Sequence, residues 1–426
     1  MKVNNHYIFG GVDTVELAKK HETPLYVLSE DIIMENINTL KKCFIDKYED
    51  VKVLYASKAF LSLAMAQIIN REGLGIDVVS GGELFTVMKA GFDSKEIFFH
   101  GNNKTRRELE MAIDYGVGQI VVDNLHELEL LVEILKKENK TQDILLRLSP
   151  GLTDIETHEY IITGQRDTKF GFQIDESLKN DIIPRILSED SLDLKGFHYH
   201  IGSQLFDNMT YINAFKIIFD LIEWTKDMYN YSTEILNIGG GFGIPYQKDT
   251  QPLDIEKILS EIMKTIENEF TQANLQRPQV IIEPGRWIIG PAGITIYKIG
   301  AVKSIEDVRT YAAVDGGMAD NIRPSLYKAL YSADIANKYG QEKNHLYTIA
   351  GKACESGDIL VKDINLPEIE TGDYLIIHTT GAYNFSMASN YNRMLIPAVV
   401  LVGGGKERVI VKRQSYEDII SRDVAL

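Results

Sequence analysis

Cysteine is nearly absent from this chain: 426 residues contain two, Cys43 and Cys354. A disulfide framework is thereby excluded, and any cysteine chemistry must be that of free thiols. Basic blocks are missing too. The formal net charge is −16 and no stretch concentrates lysine and arginine, which argues against binding nucleic acid or an anionic membrane. No apolar run approaches membrane-spanning length, and the opening MKVNNHYIFG lacks the apolar core of a signal peptide. The expectation is a cytoplasmic protein with room for two domains. An anionic ligand would need a local positive site against this acidic background.

What the chain does contain is an alternation of short β-branched runs with amphipathic ones. VKVLYASKA at 51–59 precedes LSLAMAQIINREG, and GLGIDVVS at 73–80 precedes GGELFTVMKAG. IFFHG at 97–101, QIVVDN at 119–124 and DILLRLSP at 143–150 continue the series. The spacing then breaks over 151–175, which reads as an insertion before a helix near 176–189. LKGFHYHIG at 194–202, EILNIGGGFG at 234–243 and PQVIIEPGR at 278–286 bring the count to eight strands. Eight βα units specify a TIM barrel, whereas a doubly wound open sheet usually stops earlier.

Past Pro291 the pattern becomes mostly strand: ITIYKIGAVKSI, TYAAVDGG, HLYTIAGKA, DYLIIHTTGAY and PAVVLVGGGKERVIVKR. The expected architecture is α/β, a (β/α)8 barrel over 26–292 with a mostly β domain from 1–25 and 293–426. HYIFGG, and with it PLYVLS at 24–29, can pair with that β domain.

In such a barrel, chemistry gathers at the C-terminal ends of the strands. Lys58 falls at that end of the first strand, His100 after the third, Arg147 near the end of the fifth, and His200 and Ser203 after the sixth. A desolvated lysine there is a nucleophile, although most lysines at strand ends are only solvated surface. IGGGFG closes the seventh strand, where consecutive backbone N–H groups can cradle a phosphate. EPGR closes the eighth with a carboxylate and a guanidinium. A lysine, a phosphate cradle, an acid and an imidazole together suit pyridoxal 5'-phosphate.

Nine motifs in one order carry a family resemblance: YASKA, DVVSGGEL, TGQRDTKFGF at 163–172, HIGSQ, GGGFG, EPGR, DGGMADNIRPSLY, CESGD and GAYNFSMASNYN. From about Pro24 to Val402 the sequence resembles the diaminopimelate decarboxylases, within the alanine-racemase-like (fold type III) pyridoxal phosphate enzymes. The resemblance implies decarboxylation of meso-2,6-diaminopimelate at its D-centre, with L-lysine and CO2 as products. It implies that Lys58 binds the cofactor covalently, that His200 stacks on its ring, and that Glu283 pairs with the ring nitrogen. Ser203, the backbone of Gly239, Gly240, Gly241, Gly285 and Arg286, and the Tyr383 hydroxyl would hold the phosphate. Arg286, Arg323, Tyr327 and Tyr383 would contact substrate, with Glu355 at its distal amine. Cys354 would protonate the α carbon, from a loop that the family supplies from the neighbouring subunit of a homodimer.

Relatives differ where it matters. Ornithine decarboxylases carry aspartate where this chain has Glu355 and lack IRPSLY, while alanine racemases lack CESGD. A decarboxylase acting on a related diamino acid or polyamine precursor, of ornithine or carboxynorspermidine type, is the alternative. The HxH pair His198 and His200 raises a metal-dependent barrel hydrolase, but no full ligand set can be assembled at other strand ends, so no metal is expected. A cofactor-free regulatory homologue would be expected to lose the lysine or the glycine run, and both are present. After NYN this chain reads NRMLIPAVV where many family members have R-x-R-P-x-E-V. That departure is expected to alter domain packing.

Overall fold

The structure, a computed structural model, describes residues 5–152, 167–247 and 249–426. Most of the 151–175 insertion and the first residues of TGQRDTKFGF lie outside the described residues. Two compact units are formed: residues 37–243 with 253–287, and residues 1–36 with 244–252 and 288–426.

The first unit is a closed parallel barrel. Its strands are Val51–Ala56, Gly75–Val78, Ile97–Phe99, Gln119–Val122, Gln142–Ser149, Leu192–Tyr199, Ile235–Asn237 and Gln279–Ile282. Each pairs in parallel with the next, and Gln279–Ile282 returns to Val51–Ala56. Closure excludes the open-sheet alternative. Leu54, Phe98, Val121, Leu145 and Ile281, one from each of five strands, form a core cluster.

Polar caps define where the following helices begin. Ser62, Ser80, Thr105 and Asn124 each accept a backbone N–H at the start of the helices after the first four strands, a local device that ends the turn and starts the helix. Behind the third strand, Lys104 is fully enclosed and pairs with Glu127 at 2.7 Å. It also donates to the carbonyls of Gly101 and Val121. Burial of this ion pair is sustainable because those bonds satisfy the ammonium.

The second unit is dominated by strands. Its sheet runs Ile359–Leu366, His345–Ala350, Arg309–Val314, Gly293–Ile305, Leu25–Ser29, Ala398–Gly403, Lys406–Val411. Tyr374–His378 joins Gly293–Ile305 and carries the short strand Ala333–Ile335. The boundaries differ from the sequence expectation of 25/26 and 292/293. Leu25–Ser29 is buried at every position and lies between Gly293–Ile305 and Ala398–Gly403, so it is a central strand of this unit. Residues 244–252 also belong to it. The strand Ile359–Leu366 was not expected, because Lys362, Asp363 and Asn365 interrupt its apolar pattern. Asp363 has φ +53° and the ladder shifts register close by, as a bulge requires. Among the described residues no helix is long and apolar enough to cross a membrane.

Candidate active site

The barrel gathers its chemistry where the strand rule places it. Lys58 sits in the short turn Ser57–Ala59 immediately after the first strand, and its neighbours Ser57 and Ala59 are buried while Lys58 is exposed. The expectation of a desolvated amine is therefore corrected: the lysine is presented to solvent between two buried neighbours. Ser57 N–H donates to Asp77 Oδ1 at 3.2 Å, which ties this turn to the end of the second strand.

Glu283 directly follows the eighth strand and is buried. Its Oε1 accepts from Asn237 Nδ2 at 2.7 Å and lies 2.9 Å from His100 Nε2. Its Oε2 lies 3.4 Å from His198 Nε2. Burial opposes charge on this carboxylate, yet the adjacent His100 and His198 hold it well below the usual range. Burial acts on the imidazoles in the other direction: His100 is lowered, and His198 is pushed down to about 3. Asp77 is raised well above the usual range, by burial and then by the charge of Glu283, with Lys58 opposing.

His200 follows the sixth strand. Burial lowers its ring well below the ordinary histidine value, and the charges of Lys58 and Arg147 add to this, so the imidazole is neutral near pH 7. Ser203 Oγ accepts from Arg286 Nε and Nη2 at 3.3 and 3.1 Å. The glycine run turns sharply beside them. Gly239 has φ +70° and Gly241 φ +107°, and a Cβ at these positions would stand 2.6 Å from the Tyr199 carbonyl oxygen and 2.3 Å from that of Gly202. Only glycine fits. Arg147 lies 3.8 Å from Asp123 and 4.3 Å over the Phe170 ring.

In the second unit Arg323 opens the helix Arg323–Tyr327 and is 6% exposed. The rings of Tyr246, Tyr327 and Tyr383 surround its guanidinium, with centroids at 5.4, 5.5 and 5.7 Å. Arg323 forms no ion pair among the described residues, and its Nε has no hydrogen-bond partner there. Cys354 and Glu355 are exposed. Their loop is nonetheless held: Cys354 N–H donates to Asn392 Oδ1 at 2.8 Å, and Ser325 Oγ donates to the Gly357 carbonyl at 2.8 Å. Asn392, which ends NYN and begins NRMLIPAVV, adopts φ +51°, and that segment runs into the strand Ala398–Gly403.

Sequence reasoning paired His198 with His200; the structure instead brings His198 to His100 and Glu283. Their potential donor atoms lie within 4.8 Å of one another. The hydrogen bond from Asn237 occupies part of the same carboxylate, and the set adjoins the lysine and glycine turn that a metal leaves unexplained. Asn237 and Tyr246 were missed. Asn237 is legible only as the residue before IGGGFG, and Tyr246 as the aromatic soon after it.

Comparison with known proteins points one way. The pyridoxal binding domain of the pyridoxal-dependent decarboxylases matches residues 30–290. The diaminopimelate decarboxylase of Bacillus subtilis (strain 168) is 46% identical over 421 residues, 99% of this chain and 96% of that one. That of Staphylococcus aureus (strain COL) is 41% identical over 99% of this chain and 98% of its own. Among solved structures, diaminopimelate decarboxylase from M. jannaschii in complex with L-lysine superposes with a TM-score of 0.90 at 33% identity, covering 100% of this chain and 99% of that one.

Proposed function

This chain belongs to the diaminopimelate decarboxylase family of pyridoxal-dependent decarboxylases, and from that membership we propose that it decarboxylates meso-2,6-diaminopimelate at the D-centre. The products are L-lysine and CO2, and the reaction is the last step of lysine biosynthesis by the diaminopimelate route. The cofactor is pyridoxal 5'-phosphate. An accessible lysine on a turn with buried neighbours, a buried carboxylate, an imidazole whose charge burial disfavours and a glycine turn beside Arg286 fit that group. Once bound, it supplies an electron-withdrawing ring that accepts the charge left as CO2 departs.

The chain's own residues do the rest. Lys58 would hold the cofactor through its amine, with His200 at the ring and Glu283 accepting a hydrogen bond from the protonated ring nitrogen. Ser203, the backbone N–H groups of Gly239, Gly240, Gly241, Gly285 and Arg286, and the Tyr383 hydroxyl would hold its phosphate. Arg286, Arg323, Tyr327 and Tyr383 bind the distal end of the substrate, and Glu355 takes its distal amine. Fixing that end would set the torsion at the α carbon and so select which of its bonds breaks, which is orientation used as catalysis. Cys354 then delivers a proton to the α carbon. We place the enzyme in the cytoplasm as a homodimer with shared sites; its two free cysteines suit a reducing compartment.

The observation that carries the substrate assignment is Arg323: a buried guanidinium, ringed by three tyrosines, without an acidic partner among the described residues. A second carboxylate on the substrate answers it, and ornithine has none. Replacing Arg323 with alanine is expected to cost about 3 kcal/mol of transition-state stabilisation, roughly 100-fold in kcat/KM. Arg323→Lys should recover little, because an ammonium cannot reproduce the planar fork. Steady-state kinetics on meso-diaminopimelate check both variants.

The direct test is the visible spectrum of the purified protein with added cofactor, borohydride reduction and peptide mapping, followed by an assay for lysine. An adduct on Lys58 with lysine formed from meso-diaminopimelate is expected. Cofactor bound with turnover only of a monocarboxylic diamino acid would overturn the substrate, and no adduct would overturn the cofactor.

A further inference from the structure

The strands His345–Ala350 and Ile359–Leu366 run antiparallel, with Ala350 opposite Ile359. Residues 351–358 between them, which end in CESGD, are therefore a hairpin connection. It is longer than the roughly two to five residues such connections usually take, and long hairpin loops need something to hold them. One residue of 351–358 is buried. Asp358 is 3% exposed, whereas Cys354, Glu355, Ser356 and Gly357 are all exposed.

A carboxylate is rarely buried without a cation, and none pairs with this one among the described residues. Its partners are backbone N–H groups instead. Oδ1 accepts from Met318 at 2.7 Å and Oδ2 from Ala353 at 2.8 Å. Two glycines close over it: a Cβ at Gly317 would stand 2.4 Å from Oδ2, and one at Gly351 2.2 Å. Gly351 N–H donates to the Asp358 carbonyl at 2.9 Å, and Asp358 N–H to that of Glu355 at 3.1 Å. The other end of this clasp is fixed as well. Met318 lies in DGGMAD, the turn after Arg309–Val314. There Asp320 Oδ1 accepts from Gly317 N–H and from the hydroxyl of the fully buried Tyr297, each at 3.0 Å. Lys352 N–H donates to the Gly316 carbonyl at 2.9 Å. A path of hydrogen bonds leads from the sheet interior through Asp320 and this turn to Asp358, and on to the residue before Cys354.

We propose that Asp358 is a positioning residue: its carboxylate draws the N–H groups of Ala353 and Met318 together and so fixes where the loop presents the Cys354 thiol. Its meaning for turnover rests on the reading of Cys354 as the acid for the α carbon. An acid works only within reach of the atom it protonates, and a thiol on an untethered loop is seldom there. Asn392 and Ser325 hold the loop from outside, at the Cys354 N–H and the Gly357 carbonyl. Asp358 holds it from within, through charge-assisted bonds that need no cation.

The test uses the full-length enzyme with pyridoxal phosphate. Hydrogen exchange over residues 315–320 and 351–358, read by mass spectrometry, should quicken at least about tenfold in Asp358→Ala and stay unchanged in the barrel. At saturating meso-diaminopimelate kcat should fall about tenfold or more. Asp358→Asn, which keeps one acceptor oxygen, should fall between Asp358→Ala and wild type. Gly351→Ala should reproduce the loss with Asp358 intact, because its Cβ displaces the carboxylate while the backbone there has no positive φ. The discriminating sample combines Asp358→Ala with Cys354→Ala. If Asp358 acts through the thiol, it costs no further kcat in that background. An equal loss in both backgrounds would mean general support of the fold and overturns the proposal, as does unchanged exchange or unchanged kcat in folded Asp358→Ala. If that variant does not fold, Asp358→Asn is read in the same way. Were Cys354→Ala to turn over like wild type, the acid reading would fall, and exchange would still decide whether Asp358 holds the loop.

Discussion

Lys58→Ala is expected to give a folded protein with less than about a thousandth of wild-type turnover. Retention of the fold follows from the local structure. The side chain is exposed, and the turn is anchored by its buried neighbours and by the bond from Ser57 to Asp77, so the stability change should stay within about 0.5 kcal/mol. The loss of activity follows from chemistry, since an alanine offers neither the covalent tether nor the amine that takes and returns protons at the reacting carbon. Lys58→Arg separates these from simple charge: it keeps a cation but not a usable nucleophile, and should be about as inactive. Thermal unfolding and lysine formation are measured on the same samples, with borohydride labelling lost in both variants. Substantial turnover in either one would sink the role given to Lys58.

The barrel was legible because its strands are mostly short aliphatic or aromatic runs bounded by turn residues, a pattern that needs no knowledge of distant neighbours. That legibility extends to addresses in the site: a residue at the C-terminal end of a barrel strand faces the same mouth as all the others, so Lys58, His200 and Glu283 could be grouped before any coordinates. What could not be read was contact between groups brought together only by closure of the ring. The approach of His100 and His198 to Glu283 joins the third, sixth and eighth strands, and no local spacing encodes it. The ring of tyrosines about Arg323 likewise draws on residues 246, 327 and 383. Local irregularity hid the rest. The positive φ at Asp363 lets a polar residue interrupt a strand whose alternation would otherwise have announced it.

Cys354→Ala should lower turnover by about 10³-fold if the thiol is the acid for the α carbon, and it also opens a test of how the sites are assembled. In one chain this cysteine is exposed, although its backbone is fastened to Asn392 and its loop to Ser325. A fixed loop that presents an exposed thiol is what an enzyme needs if the loop serves the neighbouring subunit. Mixing Lys58→Ala and Cys354→Ala chains and allowing subunits to exchange then has a definite outcome. Half of the dimers are mixed, and in each of these one of two sites pairs an intact Lys58 from one chain with an intact Cys354 from the other, so about a quarter of wild-type activity should return. The parents alone remain at about a thousandth. If each site drew both residues from a single chain, every site in the mixed dimer would lack one of them, and activity would stay at the level of the parents at every mixing ratio.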